Sequence, residues 1–251
     1  MIGIDRFIRL KWLEYTSDFV LAGNDEKAVK EELERLISSA FDCSSSSKRG
    51  SLSKTLTILL KTWVRVHPDI YSLRDSGLDL IQKTENTNHI AFHWGMITAA
   101  YPFWGAVAEQ TGRLLRLQGN VTKNQIQRRL REQYGERETV SRTVGRVLQS
   151  FVDWSVLCET SGKGIYSQGC TYSVDNPKII SWLIEADLHR RSSGSASIRE
   201  LLTCTSLFPF CLKQLPAEHL VAMSPRMNLL RHGLDDELVM LQDPENTSRE
   251  F

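Results

Sequence analysis

Nine basic residues crowd one stretch of the chain: Arg113, Arg116, Lys123, Arg128, Arg129, Arg131, Arg137, Arg142 and Arg146. Only Glu132, Glu136 and Glu138 oppose them. That window carries +6, whereas the whole chain of 251 residues carries +1, so the remainder sums to −5. Cations concentrated in this way suit a polyanion whose neutralised phosphates release condensed counterions. Inside the window Thr139, Arg142, Thr143 and Arg146 recur at helical spacing, opposite an apolar stripe of Val140, Val144, Val147, Leu148 and Phe151. Guanidinium groups bind guanine edges or phosphates, Thr hydroxyls bind phosphate, and Thr methyls pack on thymine. Such a face is suited to the major groove of double-stranded DNA. Lys123 and Arg128, just upstream, are placed to hold the backbone. Lys163, between Gly162 and Gly164, is placed to reach a neighbouring phosphate or the minor groove.

The elements that must position these side chains are legible around them. Pro102 opens a helix that Gly119 closes. Thr122 followed by Gln125 matches a capping box, and Ile126, Leu130 and Tyr134 continue a short helix to Gly135. A longer helix with the Val140–Phe151 stripe follows the turn Tyr134-Gly135-Glu136. Two β-like runs, 155–160 and 169–174, flank Gly162, Lys163 and Gly164, predicting a hairpin with a long tip. Helix, short helix, tight turn, longer helix and hairpin, in that order, form a winged helix-turn-helix, whose second motif helix is the reader. The bland alternatives are a solvated helix face, or a winged element that docks a protein.

Helices are also predicted before this segment. One carries Leu10, Leu13, Phe19, Val20 and Leu21 and ends at Gly23; another starts at Asn24-Asp25-Glu26 with Val29, Leu33 and Leu36 on one stripe. Cys43 to Ser51 is Ser-rich and predicts a loop or linker. Leu52, Leu56, Leu59, Trp63 and Val66 mark a further helix stopped before Pro68, and Ile70 to Ile81 continues a weaker one. Beyond Pro177 a helix runs to Leu188, residues 189–195 are a loop, and Ile198 to Cys204 restarts a short helix. The tail after Gln242 is polar and expected to fray. The fold expected is therefore mainly α, in three parts: a helical N-terminal domain over 1–98, a winged helix-turn-helix over 99–178, and a mixed C-terminal region over 179–251.

Other chemistry is weakly supported. His89 and His93 are four apart and could share a helix face, but Ile90 stands where a zinc peptidase needs its general-base Glu, and no third ligand is indicated. Both are expected to be structural. No Gly-rich phosphate loop or nucleophile elbow occurs in context, so no enzyme activity, metal or cofactor is expected. Trp63, Trp94, Trp104, Trp154 and Trp182 lie on apolar helix faces and read as core.

Composition bounds the remaining possibilities. Hydrophobic residues make up 41 % and charged residues 24 % of the chain, an ordinary globular balance that excludes a wholly disordered or collagen-like polymer. The five cysteines are scattered, with no CxxC pair, and read as reduced, mostly buried thiols of a cytoplasmic protein. Residues 1–15 mix charge into their apolar positions, unlike a secretory signal. From Ile90 to Ala108 no charged side chain occurs, a length able to span a bilayer. Pro102 interrupts that run and the flanks lack a basic cluster, so two buried helices meeting at Tyr101-Pro102 are expected instead, with no membrane partner.

This layout resembles the small DNA-binding A component (BrxA-like) of BREX phage-exclusion systems. The residues carrying the likeness are Phe19-Val20-Leu21-Ala22-Gly23 through Leu36, then Leu73-Arg74-Asp75, and the region from Thr139 to Leu157. The likeness is architectural, covers some two thirds of the chain, and finds no counterpart after residue 190. It implies a non-enzymatic duplex-DNA-binding accessory subunit of an anti-phage defence system, working beside other subunits of a complex or as a homodimer. Ordinary transcription regulators share the winged element.

Overall fold

The computed structural model describes residues 3–41, 46–84, 89–232 and 236–242. Within them the protein is mainly helical, with three small sheets. Five helices come first: α1 (Leu10–Leu21), α2 (Glu26–Ile37), α3 (Ser46–Trp63), α4 (Tyr71–Lys83) and α5 (His89–Ala100). Asp25, rather than Asn24, caps α2 by accepting from the Ala28 N–H at 2.8 Å. Val29 and Leu33 are buried as expected, and Ile37 completes the stripe in place of half-buried Leu36. The Ser-rich stretch differs from expectation, because Ser46 to Ser51 already belong to α3. Once the leucine stripe beyond Leu52 has nucleated the helix, adding serines at its start costs little. Cys43 to Ser45, Gly233 and the tail after Gln242 lie outside the described residues.

Helix α5 is the centre of the molecule. Ile90 to Ala99 are all buried, so this helix is apolar on every side and must be surrounded. It ends at Tyr101, and α6 (Pro102–Gln118) starts with the proline, as predicted; Gly119 at φ 77° closes α6 in the left-handed region. No described helix is long and apolar enough to cross a membrane. Trp94 on α5 stacks on Phe151 at 5.0 Å and meets Trp104, Trp154, Phe208 and Phe210 edge-on, between 5.3 and 5.9 Å. On another face, a Cβ at Gly95 would lie 2.3 Å from Trp182 Cζ3, so only glycine lets that indole approach α5. The same indole donates to the Leu73 carbonyl at 2.9 Å. All five tryptophans assigned to the core are buried.

Downstream come β1 (Asn120–Thr122), α7 (Lys123–Tyr134), α8 (Glu138–Asp153), β2 (Leu157–Glu159), β3 (Ile165–Gln168), β4 (Tyr172–Val174), α9 (Pro177–His189), β5 (Ser195–Ser197) and α10 (Ile198–Leu202). The chain then adds β6 (Phe210–Leu212), α11 (Ala217–Ala222), β7 (Met227–His232) and β8 (Asp236–Leu241). The first sheet is antiparallel in the order β1-β3-β2, with Val121 opposite Tyr166 and Glu159 opposite Tyr166 on the other side. The expected hairpin is therefore present, but its returning strand is Ile165–Gln168, not 169–174. Residues 172–174 instead pair in parallel with β6, Ser173 beside Cys211. The two segments stay close beyond β3: Gly169 and Cys170 donate to the Val156 and Ser155 carbonyls at 3.0 and 2.7 Å, and a Cβ at Gly169 would lie 2.3 Å from the Ser155 carbonyl oxygen.

One contiguous hydrophobic cluster draws on residues from 1–98, 99–178 and 179–251 alike, so those stretches do not keep separate cores. Helix α9 anchors the last of them through two buried acids. Asp187 receives Arg190 at 2.6 Å and Arg191 at 2.8 Å, and Glu185 accepts from Arg226 and Ser224. Burial alone would raise both carboxyl pKa values; His189, Arg226 and Ser224 around Glu185, and Arg190, Arg191 and Ser206 around Asp187, outweigh it and hold both below the ordinary range. The cysteines depart from expectation: Cys158, Cys170 and Cys211 are free but exposed, and Cys204 is half-buried.

Candidate nucleic-acid interface

The site is built on α7, α8 and the β2–β3 hairpin. Thr122 Oγ1 accepts from the Gln125 N–H at 3.2 Å while Gln125 Oε1 accepts from the Thr122 N–H at 2.8 Å, so the capping box starts α7 as predicted. Gly135, at φ 92°, turns the chain into α8. Val140, Val144, Val147, Leu148 and Phe151 are fully buried and fix the roll of α8. What remains outward is a stripe of Thr139, Arg142, Arg146 and Gln149, with Glu138 and Asp153 at its ends, all exposed. Arg146 bonds Gln149 at 3.2 Å, and no carboxylate of the described residues comes within 4.0 Å of Arg142 or Arg146.

Both flanks of this stripe are occupied. On one, α7 packs close because α8 presents Ser141 and Gly145: Gln127 donates to the Ser141 carbonyl at 2.7 Å, and Lys123 Nζ lies 3.0 Å from where a Gly145 Cβ would be. The Lys123 N–H also donates to the Gly164 carbonyl at 2.9 Å, tying the hairpin tip to α7. On the other flank runs the segment Gly3–Arg9, in which Ile4 and Ile8 are fully buried. Ser150 Oγ accepts from the Ile8 N–H at 2.8 Å, and Asp153 accepts from the Leu10 N–H at 3.1 Å.

Of the seven residues singled out from sequence, the fold brings together Thr139, Arg142, Arg146 and Lys123 around the outward side of α8. Lys163 is exposed at the hairpin tip. Arg128 is exposed but lies on a different side of α7 from Lys123 and Gln127, and sits 3.9 Å from Glu132. Thr143 does not belong. It is fully buried on the flank of α8 next to the N-terminal segment, and its hydroxyl has no hydrogen-bond partner. A residue one position from Arg142 is rotated about 100° around the helix, which here takes it under cover.

The structure adds residues that sequence reasoning missed. Arg142 and Arg146 border a cleft of about 510 Å³ whose other walls include Arg6, Arg9, Trp12 and Lys54. Arg9 lies over the rings of Phe7 and Trp12 at 5.7 and 5.6 Å, with its guanidinium 4.0 Å from Asp153. Arg6 is held at 2.9 Å by Asp5. A signal for α3 existed: Lys54, Ile58, Lys61 and Arg65 follow one another at helical spacing.

Both histidines have hydrogen-bond partners within the fold. His93 is completely buried and accepts from Trp63 Nε1 at 3.2 Å, while His89 Nε2 meets the Thr84 carbonyl at 3.0 Å. Burial first, and the nearby His89 second, push the His93 pKa down to about 3, so it is neutral at physiological pH. Among the described residues no group of three or more His, Cys, Asp or Glu is positioned to hold a metal ion. Comparison of the chain with protein-family models, with curated proteins and with solved structures gives no match.

Proposed function

We propose that the chain is a non-enzymatic double-stranded DNA-binding protein in which residues 102–168 work as a winged helix-turn-helix. In this reading α8 enters the major groove and the β2–β3 hairpin is the wing. The element order α6-β1-α7-α8-β2-β3 and the strand order β1-β3-β2 support it. The observation that carries it is the pair Arg142 and Arg146, exposed four residues apart on the outward stripe of α8 and free of carboxylates within 4.0 Å among the described residues. Guanidinium groups without a carboxylate partner on an exposed helix stripe are suited to guanine edges and phosphates. Thr139 and Lys123 flank the groove contact, and Lys163 touches the backbone from the wing tip.

Titration of a duplex at several salt concentrations tests this. Affinity falls steeply as salt rises, and the double variant R142E/R146E loses most of it. Failure of the native protein to retain duplex at low salt overturns the reading.

A second reading has its own observation. Leu230 and Met240, 46 % and 36 % exposed, share the outer face of the β7–β8 ribbon, a surface suited to protein contact. A subunit docked there fits the resemblance to the BREX component, and extends the proposal to an accessory role in phage defence. Salt-insensitive capture of a partner without DNA retention favours a scaffold instead.

A further inference from the structure

The cleft beside Arg142 and Arg146 does not end at α8. It shares Asp5 and Lys54 with a second, larger cavity of about 950 Å³, bounded by α3, the N-terminal segment and Thr139 at the start of α8. The two adjoin at Asp5 and Lys54, and together they outline a trough from the outward stripe of α8 along α3. Lys54 and Lys61, both exposed on α3, face it, and no carboxylate of the described residues lies within 4.0 Å of either. Some exposed cations elsewhere are paired, among them Lys83 with Asp79 at 2.7 Å, Arg35 with Glu32 at 2.6 Å, and Lys11 with Glu14 at 3.0 Å. Arg199 and Lys213 are exposed and have no carboxylate within 4.0 Å among the described residues, but line neither cavity. The acids that face the trough already have partners. Asp5 holds Arg6 at 2.9 Å, and Asp69 sits 3.2 Å from His67.

We infer that the DNA backbone continues from α8 into this trough, with Lys54 and Lys61 each holding a phosphate. This rests on the DNA-binding reading and enlarges it: the footprint includes the N-terminal helices as well as the winged element. Seven residues separate the two lysines, about 10.5 Å along the helix axis. A spacing of that size lets the two lysines engage different phosphates of the duplex. The contacts are sequence-independent and orient the duplex while α8 reads it.

The experiment is a salt series, from about 50 to 200 mM, of duplex binding by the full chain, its K54Q/K61Q variant, and a control R199Q/K213Q. The control removes two exposed cations that line neither cavity. Lys54 and Lys61 are surface residues, and circular dichroism checks that their variant keeps its fold. The expected result is a log–log salt slope shallower by about 1.8 for K54Q/K61Q, with weaker binding at low salt, and a native slope for the control. A native slope for K54Q/K61Q, while R142E/R146E loses binding, overturns the inference and leaves the DNA-binding reading standing. An equal change in the control also overturns it, since the effect is then one of overall charge. No retention of duplex by the native chain overturns both.

Discussion

Trp154 Nε1 donates a 3.0 Å hydrogen bond to the carbonyl oxygen of Ile8, across 146 residues of chain. With the Ile8 N–H bonded to Ser150, both backbone polar groups of this buried residue are satisfied by α8 and the turn that ends it. The N-terminal segment is thereby fastened along the flank of the helix that presents Arg142 and Arg146. Replacing Trp154 by Phe strands the Ile8 carbonyl, and Ser150→Ala strands its N–H. Each is expected to lower stability by about 1–3 kcal/mol, read from urea unfolding midpoints. A native midpoint for both variants would show that this peptide finds other partners.

Thr143 and Thr139 make opposite predictions despite sharing one helix. The Thr143 hydroxyl is buried without a partner, so Thr143→Val exchanges an unsatisfied group for a methyl of nearly equal size. Stability should rise, by up to about 1 kcal/mol, and duplex affinity should be unchanged. Thr139→Ala, on the exposed stripe, should instead weaken binding with little effect on the melting temperature. Loss of binding by Thr143→Val would return that residue to the interface.

Gly95 is expected to tolerate no side chain. The added methyl of Gly95→Ala meets Trp182 Cζ3 at 2.3 Å, and Trp182 is itself packed against α4, where a Cβ at Gly77 would lie 2.8 Å from the same indole. Overpacking of this kind costs about 1–3 kcal/mol. Thermal unfolding should show a clear drop, and tryptophan fluorescence should shift as the indole is displaced.

Acid should destabilise the protein through His93. Its folded pKa of about 3 lies below the ordinary imidazole value of 6.5, so between these values the unfolded chain binds more protons than the native one. Stability therefore falls as pH drops below 6.5, by about 1.4 kcal/mol per unit from this group, and the contribution levels off near its folded pKa. His93→Gln removes the titration; the slope of stability against pH between about 6 and 4 should become shallower. An unchanged slope would assign acid sensitivity to other groups, Asp187 and Glu185 first among them.

The parts of the fold that were legible in the sequence are those set by local rules. Thr122 and Gln125 satisfy each other within one turn, Pro102 breaks a run at its own position, and the Val140–Phe151 stripe needs only periodicity to be seen. What stayed hidden depends on partners distant in the chain. Thr143 sits beside Arg142 in sequence, and only the packing of the rest of the chain on that flank of α8 decides that it is buried. The run 169–174 looks like a hairpin strand by composition, yet its partner, Phe210–Leu212, comes from the C-terminal region. Lys54 and Lys61 were readable as a face of α3, but nothing local tells that this face borders α8.

The parallel pairing of β4 with β6 bears on how this chain could be transplanted. A fragment cut after Pro177 would leave β4 with a bare edge, open to a neighbouring molecule. It would also remove Phe208 and Phe210 from around Trp94. Modular readers can be excised and grafted onto new hosts. Here residues 102–168 and the C-terminal third share one core and would have to be moved together.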